Sequence, residues 1–435
     1  MAQNYDTLAV GIDFGTSGCR AIAIDHTGTV HAEVTLPLPP PQRRGTEVEQ
    51  SPALWVTALD TLLEELVRAV PAADIGAIAV DGTSGTVLLA DASGTPLGPA
   101  LMYNDDRAST EAAAIAALAP RESAAHGAAS GLAKLLWLLR RPGVVRAAHL
   151  LTQTDYLNGL LGGCWGVSDT NNCLKSGYDA RHKCWPEWLD RLGVPHHLLP
   201  RVVAPGTTLC TIRPNLAQRY GFRPTTLIVA GTTDSTAAFL ATGATLPGEA
   251  VTSLGSTLVL KVLSERPVYA PEYGVYSQPL GDLWLVGGSS NSGGAVLRQY
   301  FSDAQMAALT PHLHPDRPTG LDYYPLPARG ERFPLNAPSL QPRITPRPAD
   351  NAVFFQGLLE GIAHIEQRGY GLLAQLGAPW PNSVRSVGGG ARNPVWTILR
   401  GARLGVPMLE VQHPQAAYGA ALLAQRALTR LMETD

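Results

Sequence analysis

Short apolar runs separated by turn signals predict β-strands at the start of the chain. Leu8–Ile12 and Arg20–Ile24 are two such runs, and the small residues Gly15–Gly18 join them. Residues 25–28 then give a turn signal before a third strand near His31–Leu36. The pattern therefore predicts that the chain begins with a meander of three strands.

Helical spacing replaces this pattern after Ser51. Serine at the cap and Pro52 at the first helical position are typical of a helix start, and apolar residues then recur at helical intervals as far as Leu66. Ile75–Val80 follows as a buried strand that ends in the polar segment Asp81–Gly85. Strands, a helix and a further strand in this order predict an α/β unit with a mixed sheet.

The second half of the chain repeats this order. Glu249–Val262 is again strand, small-residue turn and strand, and its turn Leu254–Thr257 resembles Phe14–Ser17. We predict later helices over Gly293–Tyr300, Asn351–Leu376, Pro394–Leu404 and Gln415–Leu431, with strands at Val384–Val387 and Met408–Val411. The repetition predicts two α/β halves.

Composition narrows the class of protein. The 435 residues are 45% hydrophobic and 16% charged, with a formal charge of −3, which is typical of a globular protein and gives no basic footprint for nucleic acid or a membrane surface. Met1–Asp6 is polar, and we expect neither a signal peptide nor a membrane helix. The five cysteines include no C-x-x-C pair. We therefore expect reduced thiols and a cytoplasmic location, or an organelle lumen after processing.

The first candidate site is the loop that follows Leu8–Ile12. Gly15 and Gly18 allow a phosphate to approach the backbone, Thr16 and Ser17 add hydroxyl donors, and Asp13 can hold Mg²⁺. A strand follows the loop, which excludes the dinucleotide-binding fingerprint. The alternative is an ordinary hairpin with an acidic residue at its rim.

Three further segments have candidate chemistry. Asp234, at the start of a small-residue helix, is either a base for a substrate hydroxyl or only a helix cap. The run Gly388–Gly390 before Asn393 is either a bare-backbone surface for an adenine or ribose ring or a plain turn. The polar segments Asp81–Gly85 and Asn104–Arg107 either hold a sugar or cap turns and helices.

In this order the segments resemble the FGGY carbohydrate kinases over nearly the whole chain. Gly11–Ser17 is similar to the first phosphate loop of that family, and Asn104–Arg107 is similar to its sugar-side motif, with Tyr103 in place of Trp. Gly231–Asp234 resembles the segment with the catalytic base. Ser253–Thr257 resembles the second phosphate loop, and Gly388–Asn393 and Ala416–Ala424 resemble the adenosine end.

The resemblance implies an α/β fold of two ribonuclease-H-like, actin-like ATPase domains, each a mixed sheet flanked by helices, with ATP and sugar in an interdomain cleft. The implied domains are 1–242, rejoined by 415–435, on the sugar and phosphate side, and 243–414 on the adenosine side. The implied catalytic residues are Asp234 as the base, Asp13 as the Mg²⁺ ligand and Thr16 at the transferred phosphate. The implied ATP-phosphate residues are Gly15, Thr16, Ser17, Gly255, Ser256 and Thr257. Adenosine would contact Gly389, Gly390 and Asn393, and the sugar would contact Ser84, Asp105, Arg107 and Asp234.

One departure from the family bears on the substrate. Xylulose kinases have Ser-Gly-Gln-Met-His-Gly where this chain has Asp81–Thr86, so the sugar-binding Gln and His are missing. The segment looks more like plant and cyanobacterial kinases that favour D-ribulose, so we expect D-ribulose to be converted to its 5-phosphate. D-Xylulose, another ketose or a polyol remains an alternative. An actin-like ATP-binding protein or a silent sugar sensor is the alternative of another class. The sequence leaves the oligomeric state open.

Overall fold

The computed structural model describes residues 7–434. Its strands are β1 Leu8–Phe14, β2 Gly18–Ile24, β3 Val30–Pro37, β4 Gln42–Arg44, β5 Glu47–Gln50, β6 Ile75–Gly82, β7 Val87–Ala90, β8 Ala100–Leu101, β9 His149–Thr152, β10 Val167–Asp169, β11 Arg201–Val203, β12 Thr208–Thr211, β13 Leu227–Thr233, β14 Glu249–Leu254, β15 Leu258–Ser264, β16 Tyr276–Leu280, β17 Leu283–Ser290, β18 Ser383–Val387 and β19 Met408–Leu409. Its helices are α1 Pro52–Ala69, α2 Ser109–Leu118, α3 Gly131–Leu138, α4 Gln153–Gly162, α5 Thr170–Cys173, α6 Trp188–Arg191, α7 Pro214–Tyr220, α8 Asp234–Ala241, α9 Gly294–Leu297, α10 Asp303–Leu309, α11 Asn351–Gln375, α12 Pro394–Leu404 and α13 Ala416–Thr434.

The chain divides into two compact units. The first unit takes the chain up to Ala241 and resumes at His413, and the second is Thr242–Gln412. The main sheet of the first unit has the strand order β12-β13-β6-β1-β2-β3. In it β1, β2 and β3 form the antiparallel meander that the sequence predicts, while β6 and β13 run parallel to β1.

The sheet of the second unit is built in the same way. Its order is β16-β17-β15-β14-β18-β19, in which β14, β15, β17 and β16 pair antiparallel and β18 and β19 extend the sheet in parallel. Helices accompany both mixed sheets, so the predicted α/β fold is confirmed. Of the helices in the described range, none combines the length and the hydropathy that crossing a bilayer needs.

Local signals set most of the helix boundaries. Helix α12 begins at Pro394 behind Asn393, whose side chain accepts the backbone N–H of Trp396 at 3.0 Å, as a proline after a capping residue predicts. The helix predicted over Gly293–Tyr300 is reduced to the single turn α9. Gly293 holds a φ of 140°, outside the helical range, and a Cβ there would lie 2.7 Å from the Thr257 backbone and 2.8 Å from the Ser256 carbonyl oxygen.

The last helix completes the core of the first unit. Helix α13 packs across β1 at Gly11, where a Cβ would lie 1.9 Å from the carbonyl oxygen of Ala417. The same helix meets α8 at Gly419, where a Cβ would lie 1.9 Å from the carbonyl oxygen of Ala237. At each of these two contacts a glycine thus lets backbone touch backbone, an approach closer than any side chain allows.

The expectation of reduced thiols is wrong for one pair of cysteines. Cys164, just after α4, and Cys210, in the edge strand β12, are joined by a disulfide with 6.6 Å between their Cα atoms. Cys19 and Cys173 are buried and free, and Cys184 is exposed. The sequence did not predict this pair, because the two cysteines are 46 residues apart and the end of α4 meets the edge strand only in the folded chain.

We predict that Gly11→Ala lowers the free energy of unfolding by about 3 kcal/mol, because its methyl group would push α13 off β1. The measurement is equilibrium urea unfolding followed by far-UV circular dichroism. Gly98→Ala is the matched control, since no heavy atom lies within 4 Å of the Cβ position at Gly98. Equal midpoints for the two variants would contradict this account of the helix contact.

Candidate active site

Acidic residues meet where three parallel strands of the first unit end. Asp13 near the end of β1 lies opposite Asp81 of β6, and Thr232 of β13 lies opposite Asp81 on the other side. Asp234 follows directly as the first residue of α8. Because the carboxyl ends of parallel strands share one sheet edge, this register gathers Asp13, Asp81 and Asp234 at one place.

The two carboxyl groups on β1 and β6 do not ionise independently. Burial raises the pKa of Asp13. The hydrogen bond from Asp81 and the charge of Arg20 in β2 partly offset this rise. Burial raises the pKa of Asp81 well above its usual range, and the charge of Asp13 raises it further. The Asp81 oxygens have no well-aligned hydrogen-bond partner among the described residues, although the Asp13 carboxyl lies beside them. Of the two carboxyl groups, Asp81 is therefore the one that holds its proton to higher pH.

The turn between β1 and β2 offers backbone and hydroxyl groups above this edge. The N–H of Gly15 donates to the carbonyl oxygen of Gly18 at 3.0 Å, which closes the turn around Thr16 and Ser17. Ser17 is exposed and Thr16 is half-buried, so both hydroxyl groups reach solvent. The predicted phosphate residues of the first unit therefore lie together beside Asp13.

A second loop, Thr83–Thr86, follows β6 and is fixed at each of its residues. Gln153 Oε1 accepts the backbone N–H of Thr83 at 3.0 Å and its hydroxyl at 2.8 Å. The Thr83 and Thr86 hydroxyls are 2.6 Å apart. Ser84 is the half-buried residue of this loop, and the other three are buried. Its side chain is therefore the one that the loop can present to a ligand.

A buried lysine holds this loop from the core side. Lys134 in α3 is fully buried, and its ammonium donates to the carbonyl oxygens of Gly85 at 2.9 Å and Met102 at 2.6 Å. Burial lowers the pKa of Lys134 to about 7. The two carbonyl acceptors compensate the ammonium for its lost hydration, and they tie the loop to the strand end at Met102.

Asp105 and Arg107 form a buried ion pair. The Asp105 carboxylate is fully buried and accepts the N–H of Val48 at 2.6 Å as well as the Arg107 guanidinium at 2.7 Å. Arg107 donates to Glu49 at 2.7 Å, and its side chain is only 6% exposed. The structure thus gives the pair a bracing role, which differs from the direct sugar contact predicted for both residues.

The second unit contains a cavity of about 610 Å³, within the range of small-molecule sites. Of the predicted nucleotide residues, Gly255, Ser256, Gly389, Gly390 and Asn393 line it. Thr257 is not among the lining residues. The rest of the wall is largely apolar, with charged residues at one side, and includes Leu297, Met306, Phe355, Leu359, Trp396, Arg298, Asp303 and Arg392.

Two glycines of the Gly388–Gly390 run have no room for a side chain, because they lie against the end of β14. Gly388 has a φ of +86°, and a Cβ at Gly390 would lie 2.5 Å from the Trp396 ring and 2.8 Å from Leu254. Asn393 uses its side chain to cap α12, and its amide also donates to the Thr310 hydroxyl at 3.2 Å. The wall therefore presents bare backbone to the cavity, as a flat ring would need.

Family models cover both units. A model of the N-terminal domain of the FGGY family of carbohydrate kinases matches residues 8–241, and a model of the C-terminal domain of that family matches residues 250–428. This chain belongs to the FGGY family. The predicted family resemblance is thereby confirmed over both halves of the sequence.

Individual relatives in the FGGY family agree with this assignment. The xylulose kinase of Streptomyces coelicolor is 32% identical over 278 residues, which are 61% of this chain and 56% of that relative. The Escherichia coli xylulose kinase is 26% identical over 405 residues, 89% of this chain and 83% of that enzyme. The crystal structure of a xylulose kinase from Brucella ovis superposes with a TM-score of 0.88 at 27% identity, covering 97% of this chain and 91% of that one.

The structure of this FGGY chain also brings in residues that the sequence reasoning missed. Gln153, Lys134 and Lys175 all contact the Thr83–Thr86 loop. One signal was available for Lys134, because it is the single charged residue in the apolar helix Gly131–Leu138. A lone lysine on an otherwise apolar helix is buried only when it has a partner.

We predict that Arg107→Met lowers the free energy of unfolding by about 3 kcal/mol without any sugar present, because Asp105 would be left buried and charged. Urea unfolding of the ligand-free protein is the measurement. Adding Asp105→Asn should recover part of the loss, whereas the exposed Arg68→Met should leave the midpoint in place. A fully stable Arg107→Met with weak sugar binding would instead support direct contact.

Proposed function

We propose that this FGGY chain transfers the γ-phosphate of ATP to the primary hydroxyl of a pentulose. The observation that supports this most is the position of Asp234, at the start of α8 and beside the strand ends with Asp13 and Asp81. A kinase needs a carboxylate there to orient the attacking hydroxyl and accept its proton. Simple ATP binding needs no such group.

ATP has suitable contacts in each unit, taken separately. In the second unit, Gly389, Gly390 and Asn393 would face adenosine, while Gly255, Ser256 and the neighbouring Thr257 would face phosphates. In the first unit, Gly15, Thr16 and Ser17 would face the transferred phosphate. Backbone N–H groups in glycine-rich turns bind phosphate oxygens well.

Asp13 fits the Mg²⁺ that accompanies ATP. Its carboxyl oxygens are the hard donors that Mg²⁺ prefers, and the Asp81 oxygens beside them lack an aligned partner. Within residues 7–434, no group of three or more His, Cys, Asp or Glu side chains is arranged to hold a metal. Asp13 would therefore hold the ion, and phosphate oxygens and water would supply its other ligands. When bound, Mg²⁺ would neutralise charge on the phosphates.

Two pentuloses are candidates for the acceptor. The relatives named xylulose kinases, from Streptomyces coelicolor, Escherichia coli and Brucella ovis, favour D-xylulose. The Thr83–Thr86 loop favours D-ribulose as a second candidate, because it has Thr83 and Gly85 where xylulose kinases have Gln and His, and Ser84 is the side chain that it presents. A serine hydroxyl is shorter than either side chain and would select a different arrangement of sugar hydroxyls.

The test is ADP release with Mg²⁺-ATP over D-xylulose, D-ribulose, L-ribulose and glycerol, with a blank that contains no sugar. Strong stimulation by one pentulose supports the proposal and names the acceptor. Slow hydrolysis that no acceptor stimulates would contradict it and would favour an actin-like ATP-binding protein or a silent sensor.

We predict that Asp234→Asn lowers kcat at least 100-fold with the best acceptor, because the amide cannot accept the proton of the hydroxyl. ATP affinity, measured by calorimetry, should stay within about twofold, because the proposed adenosine contacts lie on other residues. Asp282→Asn, at an exposed turn, is the matched control. Near-normal turnover of Asp234→Asn would remove this residue from the role of base.

A further inference from the structure

Lysine is rare in this chain, and two of its lysines converge on one loop. The sequence has four lysines, Lys134, Lys175, Lys183 and Lys261, against twenty-nine arginines. The ammonium groups of Lys134 and Lys175 both donate to the Thr83–Thr86 loop. Since arginine is the usual cation of this sequence, two lysines at one loop point to a need for a compact charge.

Lys175 reaches the loop from a different side than Lys134. Its ammonium donates to the carbonyl oxygen of Ser84 at 3.1 Å. The side chain passes along Gly85, whose φ is +87° and where a Cβ would lie 3.1 Å from Lys175 Cδ and 3.8 Å from Nζ. Glycine at position 85 therefore leaves the space through which Lys175 reaches the strand end.

Electrostatics connect Lys175 with the proposed base. Burial lowers the pKa of Lys175, and the negative charge of Asp234 opposes this shift. The Lys175 ammonium is thus bonded to the loop that presents Ser84, and its charge attracts that of Asp234. An ammonium has three N–H donors, and the hydrogen bond to Ser84 uses one of them.

We propose that Lys175 is an acceptor-binding residue, whose ammonium donates a hydrogen bond to an oxygen of the ketose held against Asp234. This inference rests on the proposed sugar kinase activity and deepens it. The Thr83–Thr86 loop lacks the sugar-binding Gln and His of xylulose kinases. In this proposal the Lys175 ammonium donates the hydrogen bond to the sugar that those side chains would otherwise make.

A purely structural role explains the position of Lys175 less well. Lys134 already fixes the loop through two carbonyl groups from the buried side. Lys175 is only half-buried, whereas Lys134 is fully buried. A partly exposed ammonium with a single carbonyl acceptor retains donors that can turn toward a polyhydroxylated ligand.

The experiment compares Lys175→Met with Lys175→Gln, which keeps N–H donors for the Ser84 carbonyl but has no charge. Lys183→Met at an exposed position is the control that should keep wild-type kinetics. With the best pentulose, we expect kcat/KM to fall between about tenfold and 100-fold in both Lys175 variants, mainly through a higher KM. If Lys175→Met fails to fold, the comparison of Lys175→Gln with the wild-type protein decides the result.

Deoxy analogues of the ketose separate binding from loop support. If Lys175 contacts one sugar oxygen, the analogue that lacks this oxygen should lose little further activity in Lys175→Gln, while the other analogues lose as much as the parent sugar. An equal loss for every analogue and for glycerol would overturn the proposal and leave Lys175 as a loop support. Unchanged KM in both Lys175 variants would overturn it as well.

The same data keep the two proposals apart. If the wild-type protein phosphorylates no ketose, the proposed function fails before Lys175 is tested. If the wild type is active and both Lys175 variants match it, the kinase assignment stands and only the role of Lys175 fails.

Discussion

The parallel pairing of β6 with β1 on one side and β13 on the other is the constraint on which the site depends. It ends three neighbouring strands at one edge and puts Asp13 and Asp81 on adjacent positions. The backbones are close, since a Cβ at Gly231 would lie 1.7 Å from the carbonyl oxygen of Val80. Like charges at this spacing repel in a buried setting, so the edge is stable only while one carboxyl holds a proton or a cation is present.

The arginines and lysines near this edge differ in the partners that they bind. The charge of Arg20 in β2 lowers the pKa of Asp13 on the neighbouring strand, and the Arg107 guanidinium donates to the buried Asp105 carboxylate. The two lysines instead donate to backbone carbonyl groups, which leaves their charge uncompensated by any direct ion pair in the described structure. Arg107 and Lys134 therefore brace the unit, whereas the partly exposed Lys175 can respond to what enters the site.

Local sequence signals predicted the elements well and their contacts poorly. Pro394–Leu404 was predicted to its end residues because Asn393, Pro394 and helical spacing are all local. The pairing of Cys164 with Cys210 and the reach of Lys175 to Ser84 span 46 and 91 residues. Such contacts depend on sheet register and helix placement, which no short window contains. The motif around Asp105 identified the residue but not its partners. A motif does not show whether carboxylate oxygens face a ligand or a neighbouring strand.

The contact between β1 and α13 affects how the protein is made. Strand β1 cannot bury its Gly11 face until Ala416–Thr434 has been synthesised. At about 5–20 residues per second, that delay lasts tens of seconds or more. Thr242–Gln412 is contiguous and is complete earlier, so it can fold first. During that interval the nascent first unit exposes the apolar sheet surface that α13 later covers.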